Sequence, residues 1–198
     1  MNAPRPASPF ASLRPALALF LLLSVLTGLL YPLIVTGLAQ LLFPVQAAGS
    51  MVAHNGQAVG SHLIGQSFSD PGHFWSRPSA TTPQPYNGIA SGGSNFGPLN
   101  PALTDAIAAR IKALRDADPE NKAPVPADLV TASGSGLDPE ISLAAANYQA
   151  SRVARARRLD VARVRALIAA HTAGSVAAVL GEPRVNVLDL NLAIDVLK

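Results

Sequence analysis

No aspartate, glutamate, lysine or arginine occurs between Arg14 and Asp70, and within that stretch Ala16 to Phe43 is almost purely apolar. The apolar run is interrupted only by Ser24, Thr27, Gly28, Tyr31, Pro32, Thr36, Gly37 and Gln40. As a helix rising about 1.5 Å per residue, Leu17 to Leu42 extends about 39 Å, enough to cross a hydrocarbon core of about 30 Å with some tilt. The run reads as one transmembrane helix over residues 15–43, preceded by a short tail, 1–14. A cleaved signal peptide is the competing reading, because Val45, Gln46 and Ala47 offer small residues at a cleavage spacing. Its apolar region would need only about 7 to 15 residues, and this run is far longer. A retained anchor is the expectation, and a purely water-soluble single domain is not.

Arg5 and Arg14 precede the span, and the next basic residue after it is Arg77. The positive-inside rule therefore puts the tail in the cytoplasm and residues 44–198 outside. Ser24, Thr27, Gly28 and Tyr31 fall at i, i+3, i+4 and i+7, a stripe of small or polar groups along which a second helix could approach closely in lipid. A lone anchor with incidental small residues is the alternative. Pro32 removes a backbone donor in mid-span, which is best tolerated where neighbouring protein covers the gap.

Beyond the span, residues 49–97 are rich in Gly, Pro, Ser and Asn, yet Leu63, Ile64, Phe68, Phe74, Trp75 and Phe96 punctuate them as packed loops require. A β-type run is expected around His62 to Phe68. Asn100 followed by Pro101 predicts a helix start, with Leu103, Ile107, Ile111 and Leu114 at helical spacing up to Pro119. Residues 116–126 form a polar turn region, and Leu129 to Thr131 suit a short strand. Asp138 and Pro139 predict a second helix start carrying Ile141, Ala145 and Tyr148, and Asp160 caps a third with Val161, Val164, Leu167 and Ile168 inward. Val185 to Leu188 reads as a β run followed by an apolar C-terminal helix. Helices outnumber short strands, so the expected class is α+β: an N-terminal transmembrane helix and one exported, helix-dominated domain.

Catalytic signatures are missing. No Gly-Lys pair exists for a Walker loop, and no G-x-S-x-G elbow holds a serine. Histidines 54, 62, 73 and 171 match no zinc spacing, and the chain has no cysteine. No catalytic residue and no metal ligand is assigned. Two glycine and serine loops remain, Ser91 to Asn95 and Ser133, Gly134, Ser135 and Gly136. The second would run into the Asp138 helix start, where free amides favour an anion, although Asp138 would cap those amides and repel it. The basic run Arg152 to Arg165 reads as a solvated face. From residue 70 onward thirteen basic and twelve acidic residues leave a balance of +1, which argues against a nucleic-acid partner.

Read together, the motifs resemble the C subunit of the potassium-transporting ATPase, the Kdp complex. The matching stretches are Leu63-Ile64-Gly65-Gln66-Ser67-Phe68, Phe74-Trp75-Ser76-Arg77-Pro78-Ser79-Ala80, Tyr86-Asn87, Ser91 to Asn95, Val130 to Pro139, Arg152 to Arg157 and Gly181 to Leu188. The resemblance implies a non-catalytic subunit of a bacterial inner-membrane complex for high-affinity potassium uptake. Its partners would be a channel-like A subunit, a phosphorylated P-type ATPase B subunit and a small F subunit. This chain lacks the Asp-Lys-Thr-Gly phosphorylation signature of the B subunit. The family role implied is a catalytic chaperone that raises the ATP affinity of the B subunit. No cofactor is expected to bind tightly, and ATP only transiently with the B subunit, with Ser133 to Gly136 and Gln149 as the places to look for nucleotide contact. If the arginines set the topology, those residues lie outside and the effect on ATP passes through the membrane helices as an allosteric equilibrium. A different role is also open, in which the exported domain caps the outer mouth of the potassium pathway.

Overall fold

A computed structural model describes Phe10, residues 12–174 and residues 181–197. Arg5 and most of the 1–14 tail lie outside the described residues. The chain divides into two compact units at Ser50 and Met51.

In the first unit one continuous helix runs from Leu13 to Leu42, thirty residues long and apolar enough, by length and composition, to cross a membrane. It comprises α1 (Leu13–Val25), a π turn (Leu26–Leu30) and α2 (Tyr31–Leu42). The π turn has a local cause. Proline has no N–H and its ring crowds the carbonyl four residues back, so the turn ahead of Pro32 widens and Tyr31 N–H donates to Leu26 O. Thr27 Oγ1 donates back to Leu23 O at 2.7 Å. Phe43 leaves helical geometry, and the four-residue α3 (Pro44–Ala47) closes the unit.

The second unit begins with a hairpin, β1 (Met51–His54) and β2 (Gln57–Ser61), paired antiparallel from Met51↔Ser61 to His54↔Gln57. Asn55 and Gly56 both have positive φ, as a two-residue hairpin turn of this twist requires. The β-type run expected at His62 to Phe68 is therefore misplaced. The strand ends at Ser61, and the following residues turn away because other contacts claim them. Gly65 N–H donates to Leu137 O at 2.8 Å, and Gln66 Nε2 to Val59 O at 2.7 Å.

Helix α4 (Pro101–Ala117) starts as its sequence indicates, with Asn100 Oδ1 accepting from Ala102 N–H at 3.0 Å. The strand expected at Leu129 to Thr131 is instead a 3₁₀ turn, Ala127–Leu129, that drives Leu129 into the core. The helix expected from Asp138 starts later. Glu140–Ser142 is strand β3, and α5 runs Leu143–Arg157 with Ser142 Oγ accepting from Ala145 N–H. The reason lies far along the chain, because β3 pairs antiparallel with β5 (Arg184–Asn186), which also pairs with β4 (Thr172–Ala173). Asp138 is left to accept from Glu140 N–H and to pair with Arg77 at 2.8 Å.

Arg158 turns the chain with φ +57, and Asp160 Oδ1 caps α6 (Val161–Ala170) at Ala162 N–H. After β5, Asn186 caps α7 (Val187–Val196), so the terminal helix begins sooner and the β run is shorter than the sequence suggests. The unit is mixed helix and strand, consistent with α+β. Its core packs α5, α6 and α7 with the sheet around Ile141, Val153, Val164, Ile168, Val185, Leu190 and Ile194, joined by Phe74 and Leu114. Each such side chain contributes roughly 1.5–3 kcal/mol on full burial.

Candidate functional site

The segment from Asp70 to Ala80 passes through the core without pairing in a sheet, so its backbone groups need partners from side chains. Two amides supply them. Asn191 of α7 accepts from Phe74 N–H at 2.8 Å and donates to Phe74 O at 3.0 Å. Gln149 of α5 does the same for Trp75, accepting from its N–H at 2.8 Å and donating to its carbonyl at 3.1 Å. Each amide replaces a neighbouring strand for one residue, which locks Phe74 and Trp75 into the core.

Two guanidinium groups flank the Trp75 indole, Arg152 at 4.7 Å and Arg110 at 5.4 Å from the ring centre. Arg152 is 3% exposed and donates to Pro71 O, His73 O and Gln149 Oε1. Burial, opposed by Asp118, lowers its pKa to about 10. Arg110 donates from Nε to Leu129 O at 3.0 Å and from Nη2 to Ser76 O at 2.9 Å. Burial lowers its pKa as well. Arg110 was not singled out from the sequence. The available signal was a cation at i+3 from Ile107 and i−4 from Leu114, on the inward stripe of α4.

The two glycine and serine loops meet. Gly92 N–H and Ser91 Oγ both donate to Ser135 O, at 2.8 and 3.0 Å. Gly136 has φ +68, and a Cβ there would lie 2.6 Å from Gly92 O and from Thr81 Cγ2, so only glycine fits this crossing. Ser133 Oγ accepts from Gly136 N–H, and Ser79 Oγ donates to Gly136 O at 2.6 Å. Ser133 to Gly136 does not lead into a helix N-terminus, which removes the anion-binding argument made for it from sequence; the chain goes on into β3.

Gln149 is 1% exposed, and its amide is spent on Trp75, Ala145 and Arg152. No hydrogen bond joins it to Ser133–Gly136 among the described residues. In the apolar helix, the π turn between Ser24 and Tyr31 inserts one residue, which rotates Tyr31 by about 100° from the face shared by Ser24, Thr27 and Gly28. A Cβ on Gly28 would meet nothing within 4 Å. Among the described residues no group of three or more His, Asp or Glu is placed to hold a metal ion.

The sequence profile of a family described as K+-transporting ATPase, c chain, matches residues 13–196. A Variovorax paradoxus protein named potassium-transporting ATPase KdpC subunit is 68% identical over 183 residues, covering 92% of this chain and 95% of that one. Its namesake from Polaromonas naphthalenivorans is 66% identical over 186 residues, covering 94% and 95%. Another from Ralstonia nicotianae is 61% identical, covering 94% and 91%. With nearly the full length matched at such identity, the chain belongs to the KdpC family of potassium-transporting ATPase subunits.

Proposed function

We propose that this protein is a non-catalytic accessory subunit of the ATP-driven Kdp potassium uptake complex, anchored in the bacterial inner membrane by its apolar helix. The channel-like A subunit, the ATPase B subunit and the small F subunit are its partners. The observation that carries the reading is the helix Leu13–Leu42, in which no residue is buried and whose backbone is interrupted in the middle by the π turn and Pro32. Interrupted backbone in hydrocarbon needs neighbouring protein around it, and the open face at Ser24, Thr27 and Gly28 lets another helix come close. Gly28→Leu in the full complex is expected to lower co-purification of this chain with the other subunits, and unchanged stoichiometry would refute the assembly role.

With Arg5 and Arg14 cytoplasmic, residues 44–198 lie outside, and the chain raises the ATP affinity of the B subunit through its helix rather than by holding nucleotide. The burial of Gln149 supports this indirect route. A reporter fused after Lys198 and active only outside the cytoplasm is expected to be active. A second reading, capping of the outer mouth of the potassium pathway, is favoured by one surface. Residues 78–104 carry no charged side chain, yet Ile89 and Leu99 are 96% and 94% exposed. Apolar knobs on an uncharged loop suit contact with a neutral protein surface.

A further inference from the structure

A groove of about 660 Å³ runs between α4 and the loops at 78–80, 93–96 and 130–132. That volume lies in the range of sites for small organic ligands. Its walls are mostly apolar, with Leu103, Ala106 and Ala113 from α4 and Ala80, Phe96 and Val130 from the loops. The small α4 side chains are too short to close the gap, so the trough stays open along the helix.

Arg110 lines the same groove and lacks a counter-charge. No carboxylate lies within ion-pair distance of it among the described residues, and its Nε and Nη2 go to uncharged carbonyls. Its remaining nitrogen, Nη1, has no hydrogen-bond partner there and is not among the fully buried atoms. A second cation near Trp75, Arg152, adds repulsion. Tyr86, close to Arg110, is neutral at pH 7 as any ordinary phenol is, and burial raises its pKa further. A half-buried cation with only neutral and like-charged neighbours favours an anion at its free nitrogen.

We propose that this groove binds a single-chain fatty acid, with the carboxylate on Arg110 Nη1 and the acyl chain along the alanines of α4. A single cation matches a singly charged head, and an unbranched chain matches an apolar trough that runs along α4. Hydration of the ligand's chain and the uncompensated charge of Arg110 are relieved together.

Trp75 is the sole tryptophan of the chain and lies against Arg110, so it reports on the site directly. The full chain in phosphatidylcholine vesicles would be titrated with a dibrominated C18 fatty acid, whose bromines quench nearby indole fluorescence. Saturable quenching is expected. The brominated methyl ester, which lacks the charge, and the Arg110→Gln variant should each require about tenfold more ligand, the loss of one charge-assisted hydrogen bond. Ala106→Phe fills the trough from an exposed helix position, leaves Arg110 intact and should abolish saturation while the circular dichroism stays unchanged. Equal quenching by acid and ester, equal quenching by a brominated lysophosphatidylcholine, or undiminished quenching in Ala106→Phe would each overturn the proposal. So would displacement of the acid when the partner subunits are added, which would make a neighbouring polypeptide the occupant of the groove.

Discussion

Gln149 shows how much a single side chain carries in this protein. Its amide satisfies the N–H and carbonyl of Trp75 and accepts from Arg152, all inside the core. Gln149→Ala would leave a backbone donor, a backbone acceptor and part of a buried guanidinium unpaired. Each orphaned group costs about 1–3 kcal/mol, so a loss of about 3 kcal/mol is expected, read from the urea midpoint followed by Trp75 fluorescence. If Gln149 contacted nucleotide instead, the variant would keep its stability and lose only the effect on ATP affinity. The sequence singled out Gln149 through family resemblance alone, because a glutamine between Tyr148 and Ala150 carries no sign of burial. Its partner Trp75 lies 74 positions earlier in the chain.

Among the elements, α7 is tied to the loop before Trp75 and to α5 through one carboxylate. Asp195 accepts from His73 Nε2 at 2.9 Å and from Arg157 Nη2. Burial works to raise the pKa of Asp195, but the hydrogen bonds and charges of Arg157 and His73 outweigh it and hold the group below the usual carboxylate range. A depressed folded-state pKa means stability that is present above the unfolded value of about 3.9 and lost as pH falls through the folded value. The wild-type chain is therefore expected to lose stability below about pH 4 more steeply than Asp195→Asn, with the two curves converging at the acid end of a pH series of urea midpoints. Parallel curves would show that this carboxylate does not tie the elements together. Elements with local start signals were legible: Asn100 and Asp160 cap within one turn of themselves. Strand β3 was not, because Ile141 becomes a strand residue only by facing Val185. The β1–β2 hairpin had a legible signal, Asn55-Gly56, that the sequence reading passed over.

At the scale of the whole molecule, the core lies entirely within the unit that starts at Met51, while the helix Leu13–Leu42 buries none of its side chains. Residues 51–198 expressed without the helix are expected to keep their secondary structure and to unfold cooperatively, as circular dichroism during a urea titration would record. A non-cooperative transition would mean that the helix is needed for folding. What the sequence by itself determined was the apolar helix, the mixed class, the capped helices and the family, since composition, caps and motif strings act within a few residues. Only the tertiary structure decided that Asp138 pairs with Arg77, that Gln149 is sealed beneath Trp75 and that Arg110 faces a groove without a counter-charge. Burial and charge pairing depend on which distant segments the fold brings side by side, and neither periodicity nor propensity encodes that.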